Sequence, residues 1–274
     1  MSFEILCVTM HQTDFSKIGE MNIHSDVVFA NQADRTAYEE YEFDGHCAKM
    51  ITTATRGVGV NRNLGLLYAS ADICLLADDD MKYADGYEER IVEEFRKKPA
   101  ADAVIFNIGT TTPQYGRLPT QIKKGHWLKR GERMPYGAPR IAFRRSFVKK
   151  NSIFFSTLFG GGAVYSAGED TLFLEDLIRA RGKIWLSTEV IGDVSYEVSS
   201  WATSDGKKVC FSRGALLRAR RKNWFSKQAL MLYYATVRRP SGLTVREARR
   251  WLKNGARAYK HLMGYEAFCK ENCI

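Results

Sequence analysis

The sequence predicts an α/β fold: a mixed, mostly parallel sheet flanked by helices, followed by a basic helical extension. Three observations carry this. Apolar runs of strand length alternate with amphipathic stretches over the first hundred residues, the pattern of parallel strands joined by crossover helices. One of those runs, Ile73-Cys74-Leu75-Leu76-Ala77, ends abruptly in Asp78, Asp79 and Asp80. Beyond Asp205, Lys and Arg become dense in a chain whose net charge is +10.

The elements follow in order. Phe3 to Thr9 reads as a first strand, then a polar helix near Asp14 to Met21, then a second strand from Asp26 to Ala30. An acidic, Tyr-containing stretch follows Asn31-Gln32-Ala33-Asp34. Lys49 to Thr53 is β-rich and leads into Thr55-Arg56-Gly57-Val58-Gly59-Val60-Asn61-Arg62-Asn63, a loop that feeds a helix with Leu64, Leu67 and Tyr68 on its apolar face. Gly57 and Gly59 lack the third glycine of a dinucleotide loop, and no Lys-Ser/Thr follows as in a P-loop. Arg56 and Arg62 flank the turn into that helix, where guanidinium groups and helix N-terminal amides both suit a diphosphate; each also reads as an ordinary surface arginine. Glu88 to Lys98 is a charged amphipathic helix and Ala103 to Asn107 a buried strand. Thr110 to Gly137 is a long aperiodic stretch, and such loops inside a domain are usually binding loops or lids. Ala138 to Phe143 and Lys183 to Ser187 read as strands, and Val194 to Trp201 as extended.

The apolar run before Asp78 is too short for a lone helix and fits a strand covered on both faces. Ligands of open α/β sheets sit outside the carboxyl ends of the strands, where these acids fall. Three adjacent carboxylates repel one another unless a hard cation such as Mg²⁺ or Mn²⁺ offsets the charge, although a solvated acidic turn has the same composition. His11, His24, His46, His126 and His261 show no ligand spacing.

A second informative stretch runs from Phe155 through Gly160-Gly161-Gly162 to Gly168-Glu169-Asp170 and an amphipathic helix. Acids in a first helical turn suit the macrodipole, so the stretch also reads as a plain helix start. Asp170 shares a stripe with Phe173, Leu174 and Leu177 and is expected to point inward, whereas Glu169 sides with Leu172 and Asp176. An acid heading a buried stripe is unusual unless it faces a cavity or a partner.

Composition sets the bounds. With 274 residues, 45% apolar and 26% charged, the chain accommodates one large α/β domain, 1–205, plus an extension, 206–274. The positive charge implies an acidic partner: nucleic acid, an anionic membrane or a phosphorylated small molecule. Six cysteines without a repeated CxxC fit a reducing compartment. The first ten residues read as a strand rather than a signal peptide, and no apolar run is long enough to span a bilayer. In the extension an apolar helix around Leu230 to Val237 is expected to pair with a basic helix after Pro240. With Trp224, Phe225 and Trp251 between the charges, this pair suits an anionic membrane surface, or it is a solvated hairpin packed on the domain.

The run from Arg56 to Asp80 resembles the segment of family 2 glycosyltransferases, of the GT-A fold, in which a Gly and Arg-Asn loop leads through a helix to a strand ending in an Asp-x-Asp motif. The stretch Phe159 to Phe173 resembles that family's later Glu-Asp motif, and Ser199-Ser200-Trp201 its Ser/Thr-Trp element. The likeness covers roughly residues 1–205 and is of the bacterial surface-polysaccharide type.

The resemblance implies a GT-A, Rossmann-like fold and an inverting hexosyltransferase that needs Mn²⁺ or Mg²⁺. Asp78 and Asp80 would hold the metal. Asp78 and Asp79 would contact the donor together with Arg56 and Arg62. In place of the family's Pro-containing turn after the first strand stands Thr9-Met10-His11-Gln12-Thr13, which makes Thr9 and Asp34 the remaining candidates for donor contacts. Asp170 falls on the catalytic base. The expected partners are a nucleotide-sugar donor, UDP-linked by preference, a glycan or polyprenyl-diphosphate-linked acceptor, and an anionic membrane at the inner face of the cell membrane. No nucleic acid is expected. The competing readings are a basic nucleic-acid-binding module, without a recognised motif, and a nucleotidyltransferase on the same fold.

Overall fold

Alternating residues of the central strands pack into two separate cores, one on each face of a sheet. The computed structural model describes residues 1–110, 119–129, 131–195, 205–220 and 223–273. Its first half contains β1 (Phe3–Met10), α1 (Lys17–Glu20), β2 (Asp26–Gln32), β3 (Ala37–Phe43), β4 (His46–Thr53), α2 (Val58–Tyr68), β5 (Ile73–Asp78), β6 (Met81–Tyr83), α3 (Tyr87–Lys97) and β7 (Ala103–Thr110). There follow β8 (His126–Trp127), β9 (Ile141–Arg144), α4 (Arg145–Lys150), α5 (Glu169–Arg179) and β10 (Ile184–Val194), then α6 (Gly206–Ala219), α7 (Trp224–Thr236), α8 (Val245–Ala258) and α9 (Tyr265–Glu271).

The strands form one sheet in the order β3-β4-β2-β1-β5-β9-β7-β10-β6, with β8 also on β10. From the pairings, β4, β2, β1, β5, β7 and β10 all run one way, while β9 is inserted antiparallel between β5 and β7. The expected mixed, mostly parallel sheet is therefore present, and it collects the carboxyl ends of six strands along one edge. Ile5, Val27, Phe29, Ile73 and Leu75 pack on one face with Tyr87, Ile91 and Phe95 of α3. Leu6, Val28, Cys74 and Leu76 pack on the other with Phe173, Leu174 and Leu177 of α5. This is the period of two expected of strands covered on both sides.

Several elements depart from the sequence reading, each for a physical reason. β3, AYEEYEF, forms the outer edge of the sheet and keeps Tyr38 and Tyr41 half exposed, so it offers no buried face for a pattern to reveal. The helix expected over Asp14 to Met21 shrinks to Lys17–Glu20, which has no buried residue to anchor a longer one. Pro139 has no amide hydrogen to give a strand ladder, and Ala138–Arg140 is a 3-10 turn before β9 begins at Ile141. α2 starts at Val58, inside the expected loop, so Arg62 lies a turn within the helix rather than flanking its start. The expected apolar face of α2 is also rotated. Leu67 and Tyr68 are exposed, while Asn61, Arg62 and Gly65 are buried.

The chain separates into two compact units. Met1–Arg56, Val60–Phe155 and Phe173–Val198 form the first, which contains the whole sheet; Gly57–Gly59, Ser156–Leu172 and Ser199–Ile274 form the second. The second unit has its own core of Phe159, Tyr165, Phe211, Trp251, Leu252 and Phe268 among others. It holds four described helices rather than a two-helix hairpin, and Trp251 is buried rather than available at a surface. α7 begins at Trp224, earlier than expected, where Asn223 caps it by accepting from the Ser226 amide. α6 and α8 approach so closely that a Cβ on Gly214 would sit 1.9 Å from the Leu252 carbonyl oxygen, and one on Gly255 1.8 Å from that of Phe211. No described helix is long and apolar enough to cross a membrane. Ser199, Ser200, Trp201, Arg221, Lys222 and most of the expected extended segment up to Trp201 lie outside the described residues.

Candidate active site

The register of the central strands brings the acids and their partners together. Val8 of β1 stands opposite Asp78, the last residue of β5, so Thr9 emerges beside Asp79. Thr9 is buried, and its hydroxyl donates to Asp79 Oδ2 at 2.6 Å. α2 delivers Arg62, whose Nη2 meets Asp78 Oδ1 at 2.6 Å; the Arg62 side chain is 2% exposed and that of Asp78 37%. The guanidinium also stands over the Phe155 ring, 5.6 Å from its centroid. A buried guanidinium needs a carboxylate, and here the carboxylate at the strand end supplies it.

Asp80 has a different environment. Its carboxyl pKa is pushed up to about 7, first by desolvation and then by the charges of Asp78 and Asp79. The residue is nonetheless exposed, so water screens part of that push. Its backbone carbonyl accepts from the Ser195 amide at 2.9 Å, which ties the acidic turn to the end of β10.

Two groups at this site escaped the sequence reading. Lys17 donates from Nζ to the Asp79 carbonyl at 3.4 Å and pairs with Glu20 at 2.8 Å, a bond that leads the causes holding its ammonium above the ordinary lysine range. No spacing in the sequence links Lys17 to a residue 62 positions away. Asn31 is fully buried, donates to the Gln12 carbonyl and to Thr52 Oγ1, and accepts from the Gln12 amide. It thereby fixes the turn that follows Thr9. Its place at the carboxyl end of β2 was the available signal. Asp34 and Arg56 are placed differently. They pair with each other at 3.7 Å, are both largely exposed, and make no bond to Asp78, Asp79 or Asp80 among the described residues.

Asp170 belongs to the second unit, at the start of α5. Both acids there are withdrawn from solvent: Asp170 keeps Oδ1 buried, as expected, and Glu169, expected on the other side, is buried as well. Glu169 is 7% exposed and accepts from the Gly168 amide at 3.0 Å, while Asp170 is half-buried. Glu169 folds back over its own helix start, satisfying an amide that the helix leaves without a partner. Gly160, at φ +106, makes room for this: a Cβ there would fall 2.9 Å from the Glu169 carboxyl carbon and 2.3 Å from Val58 Cγ1.

Among the described residues no three His, Cys, Asp or Glu side chains converge as a ready metal cage. Asp78 Oδ1 and Asp79 Oδ2 are already engaged, by Arg62 and Thr9. What remains is Asp80 and the second oxygens of Asp78 and Asp79, a donor set that suits Mg²⁺ or Mn²⁺ held by one or two carboxylates, with substrate phosphates and water completing the shell. The residues present fit such an ion.

The sequence model of glycosyl transferase family 2 matches residues 27–153, which span β2 to α4 and include Arg62 and all three aspartates. Among solved structures, S. aureus TarS superposes with a TM-score of 0.62 at 12% identity, over 97% of this chain and 50% of that one. The chain thus spans half the length of that TarS. Two further structures, TarS 1-349 in complex with UDP and with UDP-GlcNAc, give TM-scores of 0.58 and 0.57 at 14% and 13% identity. They cover 96% and 97% of this chain, and 83% and 93% of theirs. At these identities the likeness speaks for the fold. No curated protein matches the chain significantly by sequence. Residues 27–153 thus carry the sequence of that family on the expected GT-A fold.

Proposed function

We propose that the chain transfers a hexose from a UDP-linked sugar to a hydroxyl of a glycan or polyprenyl-diphosphate-linked acceptor, with inversion, in surface polysaccharide synthesis. The observation that carries this is the differentiated set of acids at the end of β5: Asp78 held by Arg62, Asp79 held by Thr9, and Asp80 left open. Two fixed carboxylates suit the orientation of a donor, and one open carboxylate suits a cation that accompanies a diphosphate. Uridine is favoured because the TarS structures were obtained with UDP and UDP-GlcNAc.

Each residue has a task on this reading. Asp78 and Asp79 orient the donor, and Arg62 and Thr9 hold them in place. Lys17 adds positive charge beside Asp79. Asp80, with Asp78, would hold Mn²⁺ or Mg²⁺, which when bound offsets the charge that builds on the departing diphosphate. Asp170 takes the proton from the acceptor hydroxyl as its oxygen bonds to the anomeric carbon. The bond from that carbon to the phosphate oxygen breaks, and the nucleoside diphosphate leaves with its electron pair. Asp34 and Arg56 are further candidates at the donor's nucleoside end. A lipid-linked acceptor and the basic residues after Asp205 support, on this reading, a location at the inner face of the cell membrane.

The test is UDP release from a panel of UDP-hexoses with Mn²⁺, comparing wild type with Asp79→Asn. Release from one donor, reduced at least roughly 100-fold in the variant, is the expected result. Equal release by the variant, or none from any donor by the wild type, contradicts the assignment.

A further inference from the structure

α7 carries an apolar stripe that the second unit leaves uncovered. Trp224, Phe225, Leu232 and Val237 are 65%, 77%, 58% and 66% exposed, whereas Met231 and Ala235 turn inward and are buried. Phe225, Ala229 and Leu232 recur at i, i+4 and i+7, so they share one face of the helix. α8 shows the complementary pattern. Arg246, Arg249, Arg250 and Lys253 are exposed, while Ala248, Trp251, Leu252 and Gly255 face the core. None of these four cations has a carboxylate partner among the described residues. Glu247, the acid in this stretch, is taken up by the Thr244 cap.

The two stripes meet. Arg249 lines the same cavity of 310 Å³ as Ala229, Met231 and Leu232, so a turn of the cationic face borders the apolar one. Arg246 and Lys253 continue the cationic line one turn to either side of Arg249.

The charge selects the partner. A second copy of this surface would bring two cationic stripes together, and like charges oppose that contact. A nucleic acid would satisfy the arginines but leave Phe225 and Leu232 in water. An anionic bilayer satisfies both, taking the apolar stripe among acyl chains and the cations among lipid phosphates. We infer that α7 lies in the interface of an anionic phospholipid membrane, with α8 beside it at the headgroups. The inference rests on the membrane reading given above and specifies the surface that makes the contact.

The experiment is co-sedimentation of the full chain with phosphatidylcholine vesicles, with and without phosphatidylglycerol, at low and high salt. Wild type should bind the anionic vesicles, release in high salt, and show a blue shift of tryptophan emission that Trp224→Phe removes. Phe225→Asp with Leu232→Asp should weaken binding at least roughly tenfold with the circular dichroism and Tm unchanged. Arg249→Gln with Lys253→Gln should weaken it by a comparable factor, at about fivefold per cation. If wild type binds and both double variants bind equally well, the membrane reading stands and this surface is wrong. If wild type binds no vesicle even at low salt, both fail; duplex DNA binding indifferent to Phe225 and Leu232 would then mark the cations as a nucleic-acid contact.

Discussion

Arg62 and Asp78 are joined across α2 and β5 by a 2.6 Å contact between Nη2 and Oδ1, with the arginine buried and the aspartate at the open end of its strand. A charge inside a helix–sheet interface costs free energy unless it is paired, so the pairing ties the helix to the first acid of the cluster. Arg62→Met keeps the bulk and removes the charge. Because Asp78 is partly open to water, the expected loss of stability is about 1–3 kcal/mol, read by denaturant unfolding. Affinity for UDP should fall with it, since Asp78 is then free to rotate. Unchanged affinity would mean that the pair only braces the fold.

Thr9 gives a finer probe. Thr9→Val keeps the shape and the β-branched strand preference but removes the hydroxyl that donates to Asp79. Losing that bond should cost about 1–2 kcal/mol in donor binding, roughly 5–30-fold in Kd, and Thr9→Ser should restore most of it. Calorimetry on the three proteins decides the matter.

Asp80 predicts a trade of stability against activity. Its folded pKa of about 7 lies above the ordinary 3.8, so between these values the native state binds more protons than the unfolded chain and stability falls as pH rises. Asn cannot titrate. In EDTA, Asp80→Asn should match wild type near pH 4 and exceed it in Tm at about pH 8, by roughly 2–4 °C once solvent screening is allowed for. The same variant should lose most of its transferase activity. A Tm difference that does not vary with pH would show that the carboxylate is not perturbed.

The acids at the head of α5 should separate by function. Asp170→Asn is expected to lower kcat by about 10²–10⁴ while leaving UDP affinity unchanged, the signature of a lost general base. Glu169→Gln should act instead on stability, because Glu169 accepts from the Gly168 amide and is buried. Steady-state kinetics and thermal melts on both variants read the two effects apart.

The stretch around Asp78 is legible in the sequence because its signal is local: an apolar run that stops at three acids. Phe173, Leu174 and Leu177 likewise show their helical stripe and are all buried in the structure. The groups that hold the acids are not legible in this way. Arg62 and Lys17 reach them from 16 and 62 positions away, distances fixed only by strand register and helix placement. The start of α2 at Val58 is hidden in the sequence because Gly57 and Gly59 look like loop residues. Gly59 is needed inside the helix for another reason, since a Cβ there would fall 2.2 Å from the Ser156 carbonyl oxygen. At the start of α5 a helical wheel ranks Asp170 as the inward acid, but Glu169 has the longer side chain and folds back to its own cap. β3 leaves no trace in the apolar pattern, because an edge strand with exposed tyrosines and glutamates has no buried face to report.

The most direct measurement is calorimetric titration of UDP, GDP, CDP and dTDP, with and without Mn²⁺, into wild type and Asp80→Ala. UDP should bind, Mn²⁺ should strengthen its binding, and the variant should lose the metal-dependent part. Binding of no nucleotide in either condition, or UDP binding equal in both proteins with and without Mn²⁺, would contradict the assignment of the β5 aspartates to a metal-assisted donor site.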